Sequence, residues 1–206
     1  KILLNSWEGV YFDINQQGMD QMMADIASMG GELFVMDDGW FGDKYPRKND
    51  SSSLGDWVVD KNKLPNGIEG LLSDAKKHGV KFGIWIEPEM ANTTSELYEK
   101  HPDWVLKASE RDVVLGRGGT QVVLDLANPA VQDFVFGVVD NLMTSYPEID
   151  YIKWDANMSV QNHGSQYLTK DNQSHMYIEF HRGFEKICQR IRAKYPDLTI
   201  QACASG

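Results

Sequence analysis

Carboxylates recur in pairs along this chain, and each pair follows an apolar, strand-like run. The densest group is Lys153, Trp154, Asp155, Ala156 and Asn157. Strand side chains alternate between faces, so Lys153, Asp155 and Asn157 share one face while Ile152 and Trp154 take the other. An ammonium two residues from a carboxylate favours its ionised form. A fixed, ionised carboxylate is what attack on a sugar's anomeric carbon requires. The same spacing also describes a structural ion pair at a strand end, and spacing alone does not choose between them. Asp37 and Asp38, followed by Gly39 and Trp40, form a second pair. Adjacent carboxylates repel, so donors such as sugar hydroxyls, a lysine or a metal must hold them; the plain alternative is a solvated turn or a cap. Glu87 and Glu89 flank Pro88. One of them could be catalytic or ligand-binding, or Glu87 could pair with Lys153 or Arg117 behind the site.

Acids at strand ends would also suit a divalent cation. The five histidines, His78, His101, His163, His175 and His181, fall in helical or loop windows, and Lys and Trp accompany the acids instead. Neither a metal nor a cofactor is therefore expected. A metal-dependent barrel enzyme and a non-catalytic sugar-binding fragment stay open as readings from other classes.

What positions these residues is a regular alternation. Apolar, β-rich runs occur at 2–7, 32–36, 81–86, 122–126, 151–154 and 198–202. Between them lie helical windows: Met19, Met22, Met23, Ile26 and Met29 before Gly30; Ile68, Leu71, Leu72 and Ala75 before Gly79; a short one near 95–100. Asn128 and Pro129 open another with Val131, Val135, Val138 and Leu142 on one face, and a last window carries Phe180, Phe184, Ile187 and Ile191. Residues 43–66 read as a polar loop. Strand–helix alternation predicts the α/β class and a parallel sheet with right-handed crossovers. No Gly-rich phosphate loop follows the first run, which weakens a doubly wound nucleotide-binding sheet. Polar and acidic residues at the ends of the runs fit the mouth of a barrel. The expectation is a TIM-type (β/α)8 barrel truncated to about its first six strands, with 1–206 part of one catalytic domain. Trp7, Asp38, Trp85, Asp125, Asp155 and Cys203 end these runs and are expected at one rim.

The 206 residues carry 20 Lys plus Arg against 30 Asp plus Glu, a formal charge of −10. That balance speaks against nucleic acid and against an anionic membrane surface. No apolar run approaches the roughly 20 residues of a membrane helix. Two cysteines, Cys188 and Cys203, make no disulfide framework. The expected compartment is the cytoplasm, with the periplasm as the alternative.

Five motifs fall in order: Asn5-Ser6-Trp7-Glu8, Asp37-Asp38-Gly39-Trp40-Phe41, Trp85-Ile86-Glu87-Pro88-Glu89-Met90, Lys153-Trp154-Asp155-Ala156-Asn157 and Cys203-Ala204-Ser205-Gly206. Together they resemble the catalytic barrel of the family 36 glycoside hydrolases, chiefly α-galactosidases. The resemblance implies retaining hydrolysis of terminal α-linked galactose through a covalent galactosyl intermediate on Asp155, with a galactoside or oligosaccharide as substrate. It assigns Lys153, Asp37 and Asp38 to the galactose hydroxyls and Trp7 and Trp85 to the aromatic lining. It places Asn157, Cys203 and Ser205 near the hydroxyl beside the anomeric carbon. Arg117 matches the family arginine before the Leu-Asp-Leu strand, although Gly118-Gly119-Thr120 lengthens that stretch. α-N-Acetylgalactosaminidase and raffinose-type galactosyl transfer are the neighbouring activities. The family's acid/base Asp belongs to a later motif, so these 206 residues are expected to be inactive alone, and the parent enzyme is expected to be a homo-oligomer.

Overall fold

The computed structural model describes residues 2–161 and 163–204. β1 (Leu3–Asn5) leads through α1 (Trp7–Val10) and α2 (Gln16–Ser28) to β2 (Leu33–Met36). A long excursion precedes α3 (Gly67–His78) and β3 (Lys81–Ile86). A second excursion holds β4 (Met90–Asn92), α4 (Glu96–Lys100) and β5 (Gln121–Val123), and α5 (Pro129–Ser145) returns the chain to β6 (Ile149–Trp154). A third leads into α6 (Met176–Lys194) and β7 (Thr199–Ala202). β1, β2, β3, β6 and β7 pair in that order, all parallel, as a curled half-barrel with helices against it.

Local chemistry sets the helix ends. Asn15 and Asn128 accept the Gly18 and Ala130 N–H groups as N-caps, and Pro129 occupies the first turn of α5. Gly79 closes α3 at φ 72°, a left-handed geometry that costs other residues more. The helices bury one face against Phe34, Met36, Phe82, Ile84, Ile86 and Ile152 of the strands. Trp154 stacks edge-on with Phe184 of α6, so the outward face of β6 is the one the alternation predicts.

The inner face is where register matters. Val35, Gly83, Tyr151 and Thr199 form one row across the sheet, and Trp85, Lys153 and Gln201 another. Gly83 is required here: a Cβ on it would lie 3.0 Å from both the Cβ and the carbonyl oxygen of Tyr151.

Four expectations change. Among the described residues the parallel sheet has five strands, not six: the 122–126 run contributes β5, which pairs antiparallel with β4 in a separate hairpin. Val122, Val123, Leu124 and Leu126 are buried on both faces, and such a run cannot be told from a central parallel strand by pattern. Asp125 is consequently not on the rim; it accepts the Ala127 N–H at 3.1 Å and the Ser165 hydroxyl, anchoring the third excursion. Trp7 starts a short helix instead of ending a strand, and Met29, grouped with the core methionines Met19 and Met23, is 67% exposed.

Candidate active site

The C-terminal ends of β2, β3 and β6 bring Asp37, Asp38, Trp85, Glu87, Lys153 and Asp155 together. Lys153 Nζ donates to Asp37 Oδ2 at 2.7 Å, and Asn5 Nδ2 donates to the same oxygen at 2.7 Å. Asp37 Oδ1 accepts the Asp38 N–H at 2.9 Å. The sequence reading paired Lys153 with Asp155; the two do share a face, but the ammonium crosses β3 to the buried acceptor that Asn5 orients. Two strand spacings are about 10 Å, within the joint reach of a lysine and an aspartate. Burial opposes the Lys153 charge, and the Asp37 hydrogen bond and charge outweigh it, lifting its pKa above the ordinary value.

Asp155 is held otherwise. Trp85 Nε1 donates to its Oδ2 at 3.1 Å, and Ala156 N–H to its Oδ1 at 3.0 Å. Trp40 Nε1 in turn donates to the Trp85 carbonyl at 2.9 Å, which steadies that strand end.

Asp38 has a partner that no motif announced. Arg47 grips it with two parallel bonds, Nε to Oδ1 at 2.9 Å and Nη2 to Oδ2 at 2.6 Å, and neither side chain is exposed beyond 6%. Burial raises the Asp38 pKa while Arg47 pulls it down, and a bidentate guanidinium favours the ionised carboxylate. Arg47 Nη1 also donates to the Ser52 carbonyl and to Asn92 Oδ1, tying the first excursion to the β4–β5 hairpin. Lys63 fastens the same region, donating to the carbonyls of Phe12, Gly39 and Arg47 at 2.7–2.8 Å. Arg47 sits in the polar stretch 43–50, which carries no periodic signal. The one available hint was the adjacent Asp pair, which needs cations.

Glu87 meets neither Lys153 nor Arg117. It is 1% exposed and accepts the Asn157 N–H at 2.5 Å. Burial first, then the charges of Asp155 and Asp38, push its pKa up to about 8 against the pull of that N–H and of Arg47. Glu89 faces outward to Trp154 Nε1 at 2.8 Å, and burial raises its pKa too. Trp7 stands edge-on to Tyr11 and Phe12 beside Asn5. Cys203 N–H bonds the Trp154 carbonyl at 2.8 Å, and burial and the nearby Asp155 raise its thiol pKa. Arg117, at φ 47°, pairs with Asp50 at 3.3 Å, and Asp50 in turn lies 3.4 Å from Arg47. Arg117 therefore joins the wall of the site rather than the acids. Ser205 lies outside the described residues. A hollow of about 720 Å³ between residues 57–62 and α5 contains none of Asp37, Asp38, Glu87, Lys153 or Asp155.

Acids gathered at the C-terminal ends of a curled parallel sheet, with helices outside, are the arrangement that α/β barrel-type enzymes place at their mouths. The chain belongs to the Melibiase family, whose profile matches residues 1–206. It is 42% identical to probable α-galactosidase C of Aspergillus flavus over 99% of this chain. With α-galactosidase AgaA of Geobacillus stearothermophilus it shares 39% identity over 100% of this chain. The chain spans 27% of the length of each of these relatives. The crystal structure of AgaA, a family 36 glycoside hydrolase, matches all of this chain and 28% of its own, with a TM-score of 0.93 at 38% identity. Variants of AgaA have been solved with stachyose and with raffinose.

Proposed function

We propose that the protein containing this chain is a retaining α-galactosidase whose (β/α)8 barrel includes these five parallel strands, with Asp155 as nucleophile. The observation that carries the reading is the environment of Asp155. Its carboxylate stands at the end of β6 with both oxygens oriented by N–H donors, beside an Asp37–Lys153 pair and an Asp38–Arg47 pair. In the first step an Asp155 oxygen bonds to the anomeric carbon as the glycosidic C–O bond breaks. The leaving oxygen takes a proton from a second carboxyl group outside these residues. In the second step that group removes a proton from water, the water oxygen bonds to the anomeric carbon, and Asp155 is released.

Selectivity for galactose rests on Asp37, Asp38 and Lys153. A carboxylate offers about four acceptor positions. Protein donors take three on Asp37 and two on Asp38, leaving positions for neighbouring hydroxyls such as the axial 4-OH and the 6-OH. Trp7 and Trp85 line the sugar, with Asn157 and Cys203 toward the 2-OH and Arg117 further out. Raffinose- and stachyose-type oligosaccharides are the substrate class, by analogy with AgaA.

The test is Asp155→Ala in the complete protein, assayed on an activated aryl α-galactoside. Turnover is expected to fall by about 10³-fold or more, and azide to restore part of it while yielding the β-galactosyl azide. A variant that keeps about a tenth of the wild-type rate would remove Asp155 from the role.

A further inference from the structure

We propose that Glu87 is a positioning residue for Asp155, fixing the turn that carries the reacting carboxylate; this rests on the reading of Asp155 as nucleophile. Three consecutive residues, Trp85 and Ile86 of β3 and Glu87 just after it, hold Asp155 and Asn157 just beyond β6. The Trp85 indole donates to the Asp155 carboxylate at 3.1 Å, the Ile86 carbonyl accepts the Asp155 N–H at 2.8 Å, and the Glu87 carboxyl accepts the Asn157 N–H at 2.5 Å. The middle bond merely continues the sheet. The outer two come from side chains, one before and one after it, so the carboxylate and the turn beyond it are clamped from a single strand. Without Glu87 the Asn157 N–H loses that acceptor, and the turn loses one of the two side-chain holds that β3 and the residue after it supply.

Glu87 is enclosed and one of its oxygens is committed to the Asn157 N–H, which suits support and not proton transfer to a substrate. The charged groups facing it are Asp155 from β6, Asp38 beyond β2 and Arg47 from the first excursion. With its pKa at about 8, Glu87 accepts the Asn157 N–H as a neutral acid at pH 7 and adds no second buried charge beside Asp155. Above that pH its ionisation sets a new anion against Asp155 and Asp38, and an alkaline limb in kcat follows.

The experiment measures kcat and KM in the complete protein on an aryl α-galactoside from about pH 5 to about 9.5, for wild type, Glu87→Leu and Glu87→Gln. The glutamine oxygen still accepts from Asn157 but cannot ionise. Glu87→Leu should lower kcat roughly 30-fold or more, with KM changed less than about threefold. Glu87→Gln should recover at least about tenfold of that loss and push the alkaline limb upward. A harmless Leu variant, or a Gln variant as poor as Leu with wild-type circular dichroism and galactose binding, overturns the proposal. Should Glu87→Leu fail to fold, an unmoved alkaline limb in Glu87→Gln overturns it alone. Azide rescue of Asp155→Ala, run in parallel, keeps the two ideas apart. Rescue beside a harmless Leu variant sinks only the role of Glu87, whereas absent rescue sinks the nucleophile reading.

Discussion

An arginine at zero exposure must find acceptors inside the protein, and Arg47 finds Asp38, Asn92 and the Ser52 carbonyl. Truncating it would leave the Asp38 carboxylate buried beside Asp37 with no countercharge. Arg47→Ala is therefore expected to cost about 3–5 kcal/mol of folding stability, measured by denaturant titration, with Arg47→Lys in between because it keeps the charge and loses the fork. A loss under about 1 kcal/mol would mean that the pair contributes far less than its geometry implies. Glu87 gives the opposite kind of dependence. Its folded pKa of about 8 lies above its ordinary value of 4.5, so between these the folded chain keeps a proton that the unfolded chain has lost. Its contribution to stability is full below the lower value and disappears as pH climbs through the upper one, at about 1.4 kcal/mol per pH unit in the limit. The Tm of Glu87→Gln relative to wild type should accordingly rise between about pH 5 and about pH 9; a constant difference would contradict the shift. Arg47 was invisible in the sequence because a single buried cation in a polar loop has no period. The acids were visible because each stands at the end of an apolar run.

Among the elements, β3 carries the most. It lies in the middle of the sheet, and where its register with β6 shifts between Phe82 and Gly83, with Asp150 the extra residue on β6, Gly83 pairs with Tyr151. Gly83→Ala places a methyl 3.0 Å from the Tyr151 Cβ and main-chain oxygen, and a backbone oxygen cannot swing away. The expected loss is about 1–3 kcal/mol, with a fall in kcat in the complete protein because Trp85, two residues along, loses its aim at Asp155. Unchanged stability with unchanged kcat would show that β3 and β6 slide apart freely. The parallel strands and α5 were legible because burial imposes a single pattern on each. The 122–126 run was misplaced for the same reason, since β5 is as thoroughly buried as β3. Lys153 was assigned the wrong partner because alternation fixes a face and says nothing about how far a flexible stem crosses it.

At the scale of the whole molecule, two excursions rise above the strand ends and interlock. Asn92 of the hairpin donates to the Asp50 carbonyl and accepts the Leu54 N–H, and the Ser53 N–H reaches the Thr94 carbonyl. Lys63 adds a tie from below, with its three donors committed to three carbonyls from three separate turns. Lys63→Met should speed amide exchange across residues 39–47 by about tenfold or more, leaving 165–168 at their wild-type rates. Equal rates in both segments would dissolve the distinction. An ammonium so committed behaves like a metal ion on a tether, and it makes the Asp37–Asp38 side of the rim a stiff anvil. A sugar that settles against this wall meets a surface already set, so ligand binding should change amide exchange across residues 39–47 by less than about twofold.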